Sequence, residues 1–332
     1  MSNQFKALLV RKSVDGKIFT RSIEKREIDD LPRGDLLIRV LYSSLNYKDG
    51  LSCQGNLGVT RHYPHTPGID AAGIVEASTS AGISPGDLVV IAGTPLGMDV
   101  SGGFGQYIRI PASWAVPLPQ GMTLRDSMIY GTAGLTAALS IYKLRERGIF
   151  PEAGPVVVTG ATGGVGSLSI AILLKLGYSV MAISRKTNSQ DFLRKIGECD
   201  VSSYEAFISK PARSLLKESW SSGVDTIGGE SLSTIIKECK ENGAVAATGL
   251  VGSSNISLSV MPFVLRGVSL IGINTMGMTQ ILRNHIWTLL AHDWRPKAIE
   301  AIVSDCYLNN LDSELDKITN GRQTGRIVID MR

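Results

Sequence analysis

This sequence has few cysteines, no long apolar segment and only a small excess of positive charge. Its four cysteines stand far apart and form no Cys-x-x-Cys pair, which argues against a disulfide scaffold and against a cysteine-rich zinc site. No window approaches the roughly 18 uninterrupted apolar residues that indicate a membrane span, and the basic residues near the N-terminus flank only the short apolar run 7–10. We therefore expect no membrane segment and no signal peptide, and a reducing cytoplasm as the compartment.

Charge balance and length bound the class of protein. The chain carries 34 basic and 30 acidic residues, a net charge of +4, without a dense basic tract. This excess is too small to indicate a nucleic-acid partner, although it suits phosphorylated ligands. With 332 residues, 43% of them hydrophobic, 36 glycines and 13 prolines, the chain fits an α/β protein of two domains.

A glycine-rich turn near the middle of the chain is the most informative motif. A β-branched run at 156–159 predicts a strand, and it leads directly into Gly160, Gly163 and Gly166. Glycines at this spacing allow a tight turn and a close approach of the backbone to a pyrophosphate. A helix predicted over 167–176 and a strand over 178–184 complete a βαβ unit, so we favour a dinucleotide site over an ordinary strand-to-helix turn.

The end of the second strand indicates which cofactor is bound. NAD sites usually place Asp or Glu there to bind the ribose 2′-hydroxyl. This chain has Ser184, Arg185 and Lys186, with no acid before Asp191. A hydroxyl and two cations would bind a 2′-phosphate that a carboxylate would repel, so we predict NADPH rather than NADH. The alternative is a solvated Arg-Lys pair on a loop.

Two regions of the chain differ in their predicted secondary structure. The later region alternates helices with strands near 155–160, 179–184, 200–202, 223–227, 244–248 and 268–273. This alternation is typical of a doubly wound parallel sheet. The earlier region has short strands separated by turns, at 36–42, 69–76, 87–92 and 107–110. Closely spaced strands with little helix favour a small β-barrel-like domain. We predict that this first domain covers 1–122 and is completed by 294–332, whose last strand lies at 325–330, and that the second domain covers 123–293.

Several segments spread over nearly the whole chain resemble the medium-chain dehydrogenase/reductase superfamily. They are residues 43–49, 67–73, 85–87, 102–107, 131–137, the glycine-rich turn and 260–263. Within the superfamily the chain is similar to the zinc-independent quinone oxidoreductases of the YhdH/YhfP type, a branch that includes the acryloyl-coenzyme A reductases. The resemblance implies an α/β protein with a GroES-like β-barrel catalytic domain and a Rossmann domain that binds NADP.

The resemblance also bears on zinc. In the zinc alcohol dehydrogenases of the superfamily, a cysteine stands where this chain has Asn46, and a His-Glu pair stands where it has Ile69 and Asp70. Neither Asn nor Ile is a credible replacement ligand. His62 and His65 are three residues apart, but no cysteine or clustered carboxylate joins them, and we interpret them as loop histidines. We predict that the chain binds no metal.

Reduction of a carbon–carbon double bond next to a carbonyl does not need a metal, because the carbonyl accepts the charge. Hydride addition to the β-carbon gives an enolate that hydrogen-bond donors must stabilise, and protonation of the α-carbon follows. The resemblance places Asn46 and Tyr47 on a loop that faces the nicotinamide. Tyr47 either donates to the carbonyl and supplies the proton, or only positions the cofactor while water supplies the proton. Asn46 could orient substrate or ribose, and Asp49 could fix Lys48 in a local ion pair. For both residues we favour a structural role in the loop over direct chemistry.

The resemblance implies cofactor contacts at further positions. Those expected at the pyrophosphate are Thr162, Gly163, Gly164 and Val165. Those expected at the 2′-phosphate are Ser184, Arg185 and Lys186, where the branch usually has Ser-Gly-Arg, so the guanidinium shifts by one position. Tyr204 stands where the branch often has a basic residue, and it either stacks on adenine or is merely exposed. Positions that line the nicotinamide end in the branch correspond to Leu250, Thr275 and Gln323.

The sequence therefore favours an NADPH-dependent, zinc-independent reductase of α,β-unsaturated carbonyl compounds. A short enoyl thioester such as acryloyl-coenzyme A is the first choice of substrate, and a quinone or enone is the second. A redox sensor that binds NADPH without turnover is the alternative, against which the intact loop 46–49 argues. The strand 268–273 resembles the edge by which the superfamily joins two sheets into a dimer. Because an exposed apolar edge strand must be paired or covered, we predict a homodimer.

Overall fold

The computed structural model describes residues 3–187 and 189–332. Its strands are β1 (Gln4–Lys12), β2 (Phe19–Glu27), β3 (Leu36–Ser44), β4 (Ala71–Ser78), β5 (Leu88–Ile91), β6 (Tyr107–Ile110), β7 (Val116–Pro117), β8 (Val156–Thr159), β9 (Val180–Ser184), β10 (Asp200–Ser203), β11 (Trp220–Asp225), β12 (Cys239–Ala247), β13 (Ser269–Gly272), β14 (Val303–Tyr307) and β15 (Arg326–Asp330). Its α-helices are α1 (Tyr47–Cys53), α2 (Leu124–Glu146), α3 (Gly164–Lys175), α4 (Ser189–Ile196), α5 (Tyr204–Ile208), α6 (Gly229–Glu238), α7 (Met261–Arg266), α8 (Gln280–Ala291) and α9 (Leu311–Thr319). None of the helices in these ranges is long and apolar enough to cross a membrane.

The chain packs into two compact units, each built from more than one segment. The first unit comprises Met1–Leu135, Met276–Ala291 and Val303–Arg332, and the second comprises Thr136–Thr275 and His292–Ile302. These bounds differ from the predicted domains in three places: residues 294–302 lie in the second unit, and residues 123–135 and α8 lie in the first. The side chains of α8 bond to backbone carbonyls of the first unit: Gln280 donates to Ala115 and Arg283 donates to Gly93.

The first unit is built on a mixed sheet in which the last two strands of the chain join strands from its early part. The strand order is β14-β15-β3-β4-β5-β7, with β6 paired to β3 and a separate antiparallel hairpin β1-β2. β15 pairs antiparallel with β3, where Val328 lies opposite Ser44. The predicted return of the last strand to the first domain is thus confirmed. The hairpin was not predicted, because β2 is largely polar and none of its residues is buried.

The second unit contains the predicted doubly wound sheet. Six parallel strands follow the order β10-β9-β8-β11-β12-β13. All four residues of β8 are buried, as expected for a strand covered by helices on both faces. The strand order reverses between β8 and β11, and α/β folds of this kind bind ligands beyond the carboxyl ends of the strands at such a point.

A glycine interrupts α2 in the first unit. Gly131 has φ 50° and ψ −152°, a conformation that side chains with a Cβ rarely adopt. A Cβ at this position would also collide with the side chains of Asp70, Ser44 and Arg326. The break frees the N–H of Thr132, which donates to Asp70 Oδ2 at 2.9 Å. Gly131 therefore brings a helix amide to a buried carboxylate.

Candidate active site

The glycine-rich turn of the second unit has the geometry of a phosphate cradle. Gly160 leaves β8 with φ +60°, and a Cβ there would meet the hydroxyl of Thr226. A Cβ on Gly166 would meet the carbonyl of Gly160, so the helix packs directly on the turn. Two of the three glycines are therefore required by close backbone packing, as a dinucleotide turn demands.

The helix after this turn begins three residues earlier than predicted. Gly163 caps α3, and Gly164 is its first residue. Gly164 and Val165 therefore lie in the first turn, where backbone N–H groups have no acceptor within the helix. Thr162 is buried beside them. These amides and the helix dipole together favour a bound phosphate.

The predicted 2′-phosphate residues lie together at the ends of β9 and β10. Ser184 is buried and its hydroxyl accepts from the N–H of Lys186 at 3.1 Å. The guanidinium of Arg185 lies 5.6 Å from the ring centre of Tyr204, within the range of a cation–π contact. Burial lowers the pKa of Lys186 and raises the pKa of Tyr204. Tyr204 thus lies beside Arg185. The hydroxyl of Ser184, the side chains of Arg185 and Lys186 and the ring of Tyr204 all lie at the same edge of the sheet.

The three residues predicted at the nicotinamide end do not belong to one unit. Leu250 follows β12 and is 68% exposed, whereas Thr275 follows β13 and is buried. Both lie beyond carboxyl ends of strands in the second unit. Gln323 belongs to the first unit, where its Nε2 donates to the carbonyl of Thr324 at 3.0 Å. The assignment of these residues to the nicotinamide stays a prediction.

Asp225 organises the same edge of the sheet, and the sequence analysis did not single it out. This carboxylate at the end of β11 is buried. It accepts from the hydroxyl of Thr159 at 2.7 Å and from the N–H of Gly228 at 2.6 Å. Asp225 therefore ties the end of β8 to the turn before α6. The signal for it is an acid at the end of a largely buried strand, three residues before the Gly-Gly pair 228–229.

In the first unit, Tyr47 begins α1 and is 40% exposed. Asn46, just before it, is buried, and both ends of its amide are engaged: Nδ2 donates to Asp70 Oδ2 at 2.7 Å, and Oδ1 accepts from Arg326 Nη1 at 3.3 Å. In the part of the chain that the structure describes, the Tyr47 hydroxyl has no hydrogen-bond partner. Tyr47 is therefore available to a ligand, whereas Asn46 is held by the protein.

Asp49 binds backbone amides of the protein. It does not pair with Lys48, which is exposed. Its carboxylate is fully buried and accepts from the N–H of Asn46 at 2.7 Å and from the N–H of Ile69 at 2.9 Å. Burial raises the pKa of Asp49 to about 7, and nearby Asp70 adds to the rise. Asp49 thus fastens the loop before α1 to the segment before β4.

A buried carboxylate and a buried guanidinium lie at the centre of this region. Asp70 accepts from the hydroxyl of Ser44 at 2.6 Å, from Asn46, and from the N–H of Thr132. Arg326 donates from Nε to the carbonyl of Ile129 at 2.9 Å. Arg326 Nη2 lies 3.8 Å from Asp70 Oδ2, and the side chains of Arg326 and Asp70 are 3% and 0% exposed, respectively.

The remaining donors of Arg326 bind the end of β3 and the residue after it, which lead into the loop 46–49. Nη1 donates to the carbonyl of Leu45 at 3.0 Å, and Nη2 donates to the hydroxyl of Ser44 at 2.9 Å. Burial lowers the pKa of Arg326, while Asp70 and Asp49 oppose that shift, and a guanidinium stays protonated at neutral pH. The sequence analysis missed Arg326; its signal is an arginine that opens an apolar strand.

Three residues stand at the positions that carry zinc ligands in the alcohol dehydrogenases, and all three form hydrogen bonds within the protein here. Asn46 and Asp70 are directly bonded, and Ile69 contributes a backbone N–H to Asp49. His65 is buried and its Nε2 lies 3.0 Å from the carbonyl of Gly97. Within residues 3–187 and 189–332, no group of three or more His, Cys, Asp or Glu side chains could hold a metal ion.

Comparison with known proteins agrees with this geometry. Residues 32–120 match the alcohol dehydrogenase GroES-like domain, and residues 164–292 match the family model described as zinc-binding dehydrogenase. The acrylyl-CoA reductase AcuI of Ruegeria pomeroyi is 38% identical, over 98% of this chain and 99% of that protein.

Two solved structures extend the likeness to the whole fold. The yhdH oxidoreductase of Salmonella enterica, in complex with NADP, has a TM-score of 0.95 and 35% identity over 98% of this chain and 100% of that one. The Bacillus subtilis protein yhfP, with NAD bound, has a TM-score of 0.95 and 37% identity over 99% of this chain and 100% of that one. The chain therefore belongs to the medium-chain dehydrogenase/reductase superfamily, in the branch of the YhdH, YhfP and AcuI type of quinone oxidoreductases and acryloyl-CoA reductases.

Proposed function

We propose that this protein is an NADPH-dependent reductase of the carbon–carbon double bond in acryloyl-coenzyme A. The observation that carries the proposal is the division of polar groups in the loop 46–49. Asn46 and Asp49 are buried and satisfied by protein partners, and Tyr47 is left as an exposed phenol next to them. A single neutral donor beside a rigid polar network suits stabilisation of an enolate oxygen.

NADPH fits the second unit. The amides at the start of α3 would hold the pyrophosphate, and Ser184, Arg185 and Lys186 would hold the 2′-phosphate. NADPH, when bound, supplies the hydride for the β-carbon of the substrate. The glycine turn supports this assignment, since side chains at Gly160 and Gly166 would fill the space against Thr226 and the turn backbone.

The first unit orients the substrate and supplies a hydrogen-bond donor to it. Tyr47 donates a hydrogen bond to the thioester oxygen, which becomes negative as the double bond is reduced. Asn46, Asp70 and Arg326 hold the loop so that the phenol keeps one position. The α-carbon then receives a proton, either from Tyr47 or from water. Because conjugation disperses the negative charge, this chemistry places no demand on a Lewis acid.

Consumption of NADPH with a panel of acceptors tests the proposal. We expect acryloyl-coenzyme A to be reduced with a higher kcat/KM than crotonoyl-coenzyme A, acrolein or benzoquinone. A higher value with benzoquinone would favour the quinone oxidoreductase alternative. NADPH binding without turnover of any acceptor would favour the redox sensor.

A second copy of this chain is our proposed partner. β13 is an edge strand of the parallel sheet, and its Leu270 is 39% exposed. Val264 and Leu265 of the neighbouring α7 are exposed at 74% and 60%. An apolar edge of this kind is normally covered, and light scattering should therefore give the mass of a dimer. The four cysteines are free, which agrees with our expectation of a reducing cytoplasm.

A further inference from the structure

A cleft on the surface of the first unit lies outside the loop 46–49. It has a volume of ≈ 540 Å³ and is formed by the turn after β1 and the segment 61–63. Clefts of this size accommodate ligands of the size of a nucleotide. Cationic, apolar and aromatic side chains all line it, namely Lys12, Arg61, His62, Val14 and Tyr63.

The basic side chains of this cleft are free to bind an anion. Lys12, Arg61 and His62 are all exposed. Within the described part of the chain, none of the three donates a side-chain hydrogen bond or forms an ion pair. Other arginines of the unit are paired, for example Arg11 with Glu24 and Arg125 with Asp305. The charges of Lys12 and Arg61 on one concave surface attract phosphate groups.

Two acidic groups belong to this region: Asp15 lines the cleft, and Asp99 lies beside Arg61 and His62. Asp15 accepts from the hydroxyl of Ser13 and from the N–H of Lys17. Asp99 accepts from the N–H of Arg61 at 2.7 Å, and this bond is the main reason that the pKa of Asp99 is lowered, with the charges of His62 and Arg61 adding to the shift. Within the described residues, neither carboxylate forms an ion pair with Lys12 or Arg61.

The turn itself is shaped around Lys12. Gly16 has φ +75°, and a Cβ at this position would meet Lys12 Cε. The lysine side chain therefore lies across the turn, beside Gly16. Val14 projects fully into solvent at the tip of the same turn. An apolar side chain at a basic rim provides a surface for a nucleobase.

The cleft is fastened to the helix that begins with Tyr47. The hydroxyl of Tyr63 donates to the carbonyl of Ser52 at 2.6 Å, and the hydroxyls of Ser52 and Thr60 lie 2.7 Å apart. The ring of Tyr63 also packs against Phe19 at 5.0 Å between centres. Because α1 has seven residues, its length is about 10 Å. The cleft is thus joined to the end of α1 opposite Tyr47.

We propose that this cleft binds the phosphorylated nucleotide end of a coenzyme A thioester, an inference that rests on the proposed function. Lys12 and Arg61 bind phosphate oxygens, His62 donates a further hydrogen bond, and Val14 and Tyr63 contact the adenosine. The pantetheine arm then spans α1 and brings the acyl group to Tyr47. The cleft makes the enzyme prefer a coenzyme A thioester to a small enone.

Steady-state kinetics with two thioesters test this inference. Acryloyl-coenzyme A and S-acryloylpantetheine carry the same reacting group, but only the first has the phosphorylated nucleotide. We expect Lys12→Ala and Arg61→Ala each to raise the KM for acryloyl-coenzyme A about three- to fivefold, and the double variant about tenfold, as for solvent-exposed charge pairs. The kcat and the KM for S-acryloylpantetheine stay unchanged. Lys25→Ala, an exposed lysine on β2 outside the cleft, is the matched control and leaves both KM values unchanged.

Three results would overturn the assignment of the cleft. The first is an unchanged KM for acryloyl-coenzyme A in the double variant, and the second is an equal rise for both thioesters. The third comes from titration with adenosine 3′,5′-bisphosphate: weaker binding to the double variant, without any change in KM, would mean that the cleft takes a free nucleotide.

Failure of the proposed function can be distinguished from failure of the cleft assignment. The former would appear as a wild type that does not oxidise NADPH with either thioester. In that case, titration with coenzyme A decides the cleft: about tenfold weaker binding to the double variant supports it, and equal binding overturns it.

Discussion

Replacing Arg326 by Met tests whether the buried polar network holds the catalytic loop. The substitution keeps much of the side-chain volume and removes every donor. It leaves the carbonyls of Ile129 and Leu45 without their bonds at 2.9 and 3.0 Å, and it leaves Asp70 without its cation. Removing one partner of a buried ion pair costs about 3–5 kcal/mol. This is a large part of the roughly 5–15 kcal/mol by which proteins are stable.

A surface arginine provides the comparison. Arg125 makes two bonds to Asp305, at 3.0 and 2.9 Å, but the two side chains are 27% and 56% exposed. Its geometry is better than that of Arg326 and Asp70, yet an exposed pair contributes only about 0.2–1 kcal/mol. Burial, and not hydrogen-bond geometry, should therefore decide which substitution is costly.

Thermal unfolding followed by circular dichroism measures the difference. We expect Arg326→Met to lower the unfolding midpoint by roughly 6–20 °C and Arg125→Met to lower it by no more than about 4 °C. Arg326→Lys should fall between them, because one ammonium cannot reach all the acceptors of the guanidinium. Equal midpoints for the two Met variants would refute the argument that Arg326 and Asp70 stabilise the loop.

Four further expectations follow from the same sites. Tyr47→Phe should lower kcat roughly 10²-fold at saturating NADPH and acryloyl-coenzyme A with little change in NADPH affinity, and full turnover would show that the ring only positions its ligands. Fluorescence titration should give at least about tenfold tighter binding of NADPH than of NADH, and Arg185→Ala should remove most of that preference; equal affinities in the wild type would contradict the cofactor assignment. Because the pKa of Asp49 is raised from 3.8 to about 7, its contribution to stability is complete below pH 4 and is lost up to pH 7, by at most about 1.4 kcal/mol per pH unit. Urea titrations should show this slope in the wild type but not in Asp49→Asn, and identical profiles would argue against a buried titrating carboxyl. Elemental analysis should find no stoichiometric zinc, and one zinc per chain lost together with activity on chelation would overturn the mechanism.

Local patterns were sufficient to predict the glycine-rich turn and the βαβ unit around it. The β-branched run and the three glycines are adjacent in sequence, and residues 184–186 follow at the end of the next strand. Each of these features is formed by residues that are close together in the sequence. The observed strand Val156–Thr159 lies within the predicted 155–160. The strand predicted over 178–184 begins at Val180. The start of α3 also differed, because Gly164 to Gly166 entered the helix despite the low helix propensity of glycine. Close packing of Gly166 on Gly160 accounts for that difference.

The network around Asp70 could not be predicted in the same way. Its members come from β3, from the segment before β4, from the break in α2 and from β15, and Arg326 is 282 residues from Ser44. No local pattern links positions so far apart, and only pairing of β15 with β3 brings them together. The expected pair of Asp49 and Lys48 was wrong for a related reason: sequence neighbours on a helix start point in different directions, and the folded backbone offered the carboxylate two amides.

The pairing of β15 with β3 sets a time order on biosynthesis. Leu45 is 281 residues earlier than its arginine partner, and a ribosome that adds about 5–20 residues per second needs roughly 15–60 s for that distance. During this interval the nascent first unit contains a carboxylate at Asp70 without its cation, and strand β3 has an open edge. The partners that β15 provides to Leu45 and Asp70 are therefore the last of this network to be synthesised, and a chain that ends before residue 326 leaves residues 42–44 of β3 without their pairing strand.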